Sequence, residues 1–148
     1  MDYSEIEILF AEDSMDDAAL TIRALKKGGL TNKLHHVIDG AEALDFLYCK
    51  GAYTDRNINH PLKLIMLDLK MPKVSGWEVL EKVKGDPLLK SIPVVILTSS
   101  KEDPDIKKCY ELGANSYIVK PVGSDNFFQA IKALSFYWMI SNQPPHHL

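Results

Sequence analysis

Residues 64–72 read LIMLDLKMP: four apolar residues, a carboxylate at Asp68, then a Met-Pro turn. A continuous apolar run too short for a helix is a strand buried on both faces, which requires a parallel sheet covered by helices. The same plan recurs along the chain. Residues 6–13 read IEILFAED, apolar except for Glu7 until they close on Glu12 and Asp13. Val94 to Leu97 runs into Thr98, and Tyr117 to Val119 runs into Lys120. A weaker strand is expected around Leu34 to Ile38.

Helical patterns fill the gaps. Residues 15–27 carry Ala18, Ile22 and Leu25 at helical spacing and stop at Gly28-Gly29. Residues 41–48 carry Ala43, Leu44 and Leu47 after an Asp39-Gly40 turn, and residues 76–84 carry Trp77, Leu80 and Val83 and end near Gly85 and Pro87. Residues 104–112 open on Pro104 and close at Gly113, and residues 125–140 follow Ser124 as N-cap. Strands alternating with helices, five of each, specify an α/β fold: a doubly wound five-stranded parallel sheet with right-handed crossovers. This domain is expected over 1–141. Residues 142–148, with Pro144-Pro145 and His146-His147, read as a disordered tail.

The bulk composition narrows the function. The 148 residues are 46% hydrophobic and 25% charged, as a globular domain is. A net charge of -3 with no basic block argues against nucleic-acid binding. Cys49 and Cys109 each stand alone, so a disulfide framework or four-ligand zinc site is not expected, and a cytoplasmic protein with reduced thiols is. The start, MDYSEIEILF, lacks the basic and apolar regions of a signal peptide, and no apolar run reaches the roughly 20 residues of a membrane span.

In an open parallel sheet the C-terminal strand ends line one crevice, where ligands bind. Glu12, Asp13, Asp68, Thr98 and Lys120 all fall there. Clustered carboxylates repel one another, and a hard divalent cation such as Mg²⁺ relieves that repulsion and lets an anionic phosphoryl donor approach. Lys120 adds a cation able to pair with Asp68 and then hold a phosphoryl oxygen, and a cis bond to Pro121 would aim it inward. Thr98 offers a hydroxyl donor. Each residue alone has a plainer reading. Glu12-Asp13 reads as a first-turn charge pair, Asp68 as a loop acid, Thr98 as a cap and Lys120 as a surface lysine.

Taken in order, the segments ILFAEDS, LIMLDLKMPKVSGWEVL, IPVVILTSS and ANSYIVKP resemble the receiver domain of two-component response regulators. The resemblance implies a flavodoxin-like fold with strand order 2-1-3-4-5. It implies that Asp68 accepts a phosphoryl group from a sensor histidine kinase. It implies an Mg²⁺ (or Mn²⁺) ion held by Asp13 and Asp68, by Glu12 through water and by the Lys70 main-chain carbonyl. Thr98 and Lys120 match the residues that bind the phosphoryl oxygens, and Thr98 and Tyr117 the pair that changes conformation. Lys70 and Ser100 match positions that tune hydrolysis, while Met71-Pro72 and Gly76 match the loop after the acceptor. The implied protein is a phosphorelay switch, not an enzyme with a free substrate. An aspartyl phosphatase would carry a second Asp two residues after its nucleophile, where this chain has Lys70. A non-phosphorylated interaction module of the same fold would lack the acceptor or the acidic pair.

Two segments depart from a minimal receiver. Residues 49–62, CKGAYTDRNINHPL, form a long polar connection. Similar insertions occur in single-domain receivers that serve bacterial phytochromes, which implies a phytochrome as kinase. A tolerated surface insertion explains the loop as well. The last helix is more apolar than one buried face needs. Phe127, Ile131, Leu134 and Trp138 form one stripe, and Phe128, Phe136, Tyr137, Met139 and Ile140 lie off it. An exposed patch of that kind marks an interface, here a homodimer through the fourth helix, fifth strand and fifth helix. With no further domain after that helix, a stand-alone receiver signalling by protein contact is expected. His35, His36 and His60 show no metal-ligand spacing and read as structural or solvated.

Overall fold

The computed structural model describes residues 2–60 and 62–134. The expected continuation of the last helix to residue 140 and the tail at 142–148 lie outside them, as do Phe136, Tyr137, Trp138, Met139 and Ile140.

Five strands alternate with five helices: β1 (Ile6–Ala11), α1 (Met15–Lys27), β2 (Lys33–Val37), α2 (Gly40–Tyr48), β3 (Leu64–Leu67), α3 (Gly76–Gly85), β4 (Val94–Thr98), α4 (Asp103–Glu111), β5 (Ser116–Val119) and α5 (Asp125–Leu134). The sheet order is β2-β1-β3-β4-β5 and every pairing is parallel. This is the flavodoxin-like arrangement the receiver resemblance implies. Element ends shift from the sequence reading by a residue or so, because caps set them. The side chains of Ser14, Asp39 and Ser75 accept from Asp17 N, Glu42 N and Glu78 N, so these three helices start where a short polar side chain meets a free amide. Ser124 Oγ does the same for Phe127 N at 3.1 Å.

Pleat alternation divides the core. Leu9, Ala11, Ile65, Leu67, Val94 and Ile96 pack with Phe46 and Leu47 of α2, Val79, Leu80 and Val83 of α3, and Cys109 of α4. Ile8, Phe10, Leu64, Met66, Val95 and Leu97 pack on the opposite face with Ala18 and Leu25 of α1 and with Phe127, Ile131 and Leu134 of α5. Both faces of the central strands are dry, which is why their sequence runs apolar without alternation. Each buried Val, Leu, Ile, Phe or Met side chain among them contributes on the order of 1.5–3 kcal/mol.

The long connection 49–62 is less solvated than its composition implies. It opens with a 3₁₀ turn at Gly51–Tyr53, and Tyr53 and Arg56 are buried. The Arg56 guanidinium lies 4.4 Å from the Phe46 ring centroid and donates to Phe46 O at 2.9 Å and His60 O at 3.4 Å. It thereby satisfies a carbonyl at the open end of α2. His35 stacks on Phe46 at 4.9 Å and hydrogen-bonds the Tyr53 hydroxyl at 2.9 Å. Insertion, edge strand and helix are thus tied together by one aromatic cluster.

Candidate functional site

Strand register delivers the strand-end residues to one place. Ala11 pairs with Leu67, so Glu12 and Asp68, each one residue on, are neighbours. The Asp68 amide completes the ladder by donating to Ala11 O at 3.1 Å. Thr98 pairs with Val119, and the Lys120 amide donates to Thr98 O at 2.9 Å. Carboxylate oxygens of Glu12, Asp13 and Asp68 lie within 4.8 Å of one another. Glu12 and Asp68 are buried and Asp13 is exposed, so the cluster opens to solvent on one side. All-oxygen, all-carboxylate donors at that spacing suit a hard divalent cation.

Burial sets the charge balance. It pushes the Glu12 carboxyl up to about 7; the bond from Lys120 works against that, and the Asp68 carboxylate adds to it. Burial also raises the Asp68 carboxyl, with Lys120 and the Leu69 amide pulling the other way. The Leu69 amide donates to Asp68 Oδ1 at 2.8 Å, which orients the carboxylate. Lys120 is the counterweight. Burial alone would lower its ammonium, but bonds to Glu12 and Asp17 outweigh that and hold it above the ordinary lysine value. Its Nζ lies 2.6 Å from Glu12 Oε1, 2.9 Å from Asp17 Oδ2 and 3.6 Å from Asp68 Oδ2. The peptide between Lys120 and Pro121 is cis.

The expected pairing of Lys120 with Asp68 is therefore its loosest, and Asp17 is a partner the sequence reading did not single out. Asp17 sits on the first turn of α1, a position where an acid is unremarkable. What marks it is its place one helical turn after Asp13, facing the same strand ends.

Thr98 is buried, and its Oγ1 accepts from Ser100 N at 3.4 Å. Ser100 Oγ donates to Asp105 Oδ2 at 2.6 Å, tying the loop after β4 to α4. Tyr117 is half-buried on β5, beside that same loop. Lys70 is exposed on the loop after β3. That loop is shaped by Gly76, where a Cβ would stand 2.0 Å from Asp68 O and 2.7 Å from Leu69 Cα. Only glycine lets α3 start so close to the strand end. Phe128 is half-buried, with Lys27 Nζ of α1 5.0 Å from its ring centroid. Among the described residues no helix is long and apolar enough to cross a membrane.

Residues 8–132 match the response regulator receiver domain. The chain belongs to this family. Receiver domains are signalling switches rather than enzymes with a free substrate. The response regulator Rcp1 of Synechocystis sp. (strain ATCC 27184 / PCC 6803 / Kazusa) is 38% identical over 132 residues, which are 89% of this chain and 88% of Rcp1. The solved Mn(2+)-bound form of Rcp1 superposes with a TM-score of 0.83 at 36% identity, over 93% of this chain and 97% of that one. The phosphorylated cyanobacterial phytochrome response regulator RcpA gives a TM-score of 0.83 at 35% identity, over 95% and 99%. The bacteriophytochrome response regulator RtBRR gives 0.77 at 48% identity, over 93% and 82%.

Proposed function

We propose that this receiver domain takes a phosphoryl group onto Asp68 from a sensor histidine kinase and signals through the altered surface around Thr98 and Tyr117. The observation that carries the reading is the placement of Asp68. It is a buried carboxylate at a strand end, oriented by the Leu69 amide, inside the acidic cluster and 3.6 Å from a lysine ammonium.

An Asp68 carboxylate oxygen attacks the phosphorus of a phosphohistidine in line. The P–O bond forms as the P–N bond breaks, and the leaving imidazole keeps the electron pair and takes up a proton. Glu12, Asp13 and Asp68 are the side chains that would hold Mg²⁺ or Mn²⁺, with the Lys70 main-chain carbonyl as a further donor. When bound there, such a cation would neutralise phosphoryl oxygens that the carboxylates otherwise repel. Lys120 and Thr98 then bind oxygens of the aspartyl phosphate as a cation and a hydroxyl donor. Thr98 moving toward the phosphoryl group draws the loop after β4 with it, and Tyr117 follows. Water attack on phosphorus returns orthophosphate and resets the domain, at a rate that Lys70 and Ser100 tune from beside the site.

The likeness to RcpA and RtBRR supports a phytochrome as the kinase. Two free thiols, Cys49 and Cys109, fit a cytoplasmic setting. A homodimer through α4, β5 and α5, with Phe128, Phe136, Tyr137, Met139 and Ile140 at its edge, fits the apolar excess of residues 127–140. Sedimentation at micromolar concentration checks it, and a strict monomer with and without phosphorylation rules it out.

The deciding measurement for the acceptor is intact mass after incubation with Mg²⁺ and acetyl phosphate. One added phosphoryl group is expected, absent in Asp68→Asn and absent with EDTA. No adduct from acetyl phosphate or from any histidine kinase overturns the reading.

A further inference from the structure

Lys120 carries three N–H donors, and the resting structure uses them unevenly. Glu12 and Asp17 take it at 2.6 and 2.9 Å, within the range of charge-assisted hydrogen bonds, while Asp68 at 3.6 Å is beyond it. The two close partners differ in kind. Glu12 belongs to the acidic cluster with Asp13 and Asp68. Asp17 lies outside it, on α1, and its side chain is 34% exposed against 10% for Lys120. Among the described residues its carboxylate bonds Lys120 and no other group of the site. It is also anchored, because the Asp17 amide donates to the N-cap hydroxyl of Ser14 at 3.2 Å.

We propose that Asp17 is a resting-state seat for Lys120: a positioning residue that competes with the phosphoryl oxygens on Asp68 for one ammonium. The inference rests on Asp68 being the phosphoacceptor. In the unmodified domain Nζ is drawn toward α1 and away from Asp68. After phosphorylation the same ammonium is needed at the aspartyl phosphate, and leaving Asp17 costs one charge-assisted contact. Asp17 thereby sets how far the equilibrium favours the phosphoryl-bound arrangement, without touching the reacting atoms. The competing explanation is that Asp17 only complements the α1 dipole, as any first-turn acid does. Asp16 is the control built into the chain. It is an exposed acid on the same first turn, and the ion pairs of Lys120 are with Glu12, Asp17 and Asp68 instead.

The test uses beryllofluoride, which binds an acceptor carboxylate as a phosphoryl mimic, titrated by fluorine NMR in saturating Mg²⁺. Asp17→Asn, which keeps the shape and removes the charge, is expected to tighten beryllofluoride binding roughly three- to ten-fold, the scale of one partly exposed charged contact. It is expected to lengthen the aspartyl phosphate half-life by a similar factor. Mg²⁺ affinity without the mimic should be unchanged, whereas a general loss of negative charge would weaken it, which separates the two. Asp16→Asn should leave beryllofluoride binding unchanged, and Asp17→Glu should restore wild-type behaviour. If Asp17→Asn binds the mimic no more tightly than Asp16→Asn, the seat is wrong while the acceptor reading stands. If wild type takes neither beryllofluoride nor a phosphoryl group, the acceptor reading fails first and the seat with it.

Discussion

The Tyr117 hydroxyl donates a 3.0 Å hydrogen bond to the main-chain carbonyl of Ser100, two residues past Thr98. The aromatic of β5 is thus tied to the loop that follows the β4 hydroxyl, so displacement of Thr98 can reach Tyr117 through three residues of backbone. The resting loop is held by this bond and by Ser100 Oγ on Asp105. Tyr117→Phe removes one bond and leaves the ring. It should lower unfolding free energy by about 1 kcal/mol in urea melts. Amide exchange should accelerate at residues 100–102 with little change in β1 or β3. Uniform acceleration over the whole domain would mean the bond has no local role.

Arg56 is the residue on which the 49–62 connection turns. Its charge has no carboxylate partner among the described residues and is satisfied chiefly by main-chain oxygens of Phe46 and His60, with its face on the Phe46 ring. Arg56→Leu keeps bulk but removes the 2.9 Å donor from the Phe46 carbonyl in a buried setting, leaving it the longer 3.4 Å bond from the Cys49 amide. A loss of about 2 kcal/mol is expected. Limited proteolysis should then cut within 50–60 before it cuts elsewhere. A variant as stable and as resistant as wild type would show that the connection is only draped on the surface.

These contacts mark where sequence reading stops. Asp68, Thr98 and Lys120 were legible because each ends an apolar run, and parallel register turns such ends into neighbours. Gly76 was legible only as a turn residue; its 2.0 Å approach to the Asp68 carbonyl needs coordinates. Asp17 was hidden because an acid in a first helical turn is ordinary, and its partner is 103 residues away. Arg56 was hidden by the polar composition around it, since burial of a guanidinium depends on which carbonyls it reaches. The pairing of His35 with Phe46 and Tyr53 likewise joins three segments that no local pattern connects.

His35 makes stability depend on pH. Burial lowers its imidazole below the ordinary value of 6.5, and His36 and Arg56 add to that against the pull of Glu42. The unfolded chain therefore binds more protons than the folded one between the lowered value and 6.5. The contribution of neutral His35 is fully present above pH 6.5 and is lost as pH falls through the lowered folded value. His35→Phe preserves the stack and removes the titration. The difference in melting temperature between pH 8 and pH 5.5 should be smaller in His35→Phe than in wild type. Equal differences would assign the acid sensitivity elsewhere.

Two glycines of α3 separate a steric requirement from helix propensity. At Gly76 an added methyl would stand 2.0 Å from Asp68 O and 2.7 Å from Leu69 Cα, both main-chain atoms, whereas at Gly85 nothing lies within 4 Å. Alanine at 85 should be neutral or should stabilise by up to about 1 kcal/mol, from propensity and the stiffer unfolded chain. Alanine at 76 must push the helix start or the strand end aside, at a cost of about 1–3 kcal/mol. Because the atom displaced is the carbonyl of Asp68 itself, the damage should extend to chemistry. Gly76→Ala should take up phosphoryl groups from acetyl phosphate more slowly even at a temperature where it is fully folded, and Gly85→Ala should match wild type. Thermal melts followed by circular dichroism and an intact-mass time course measure both effects. A Gly76→Ala protein that is destabilised yet phosphorylated at the normal rate would show that the helix start yields while the Asp68 carboxylate keeps its place.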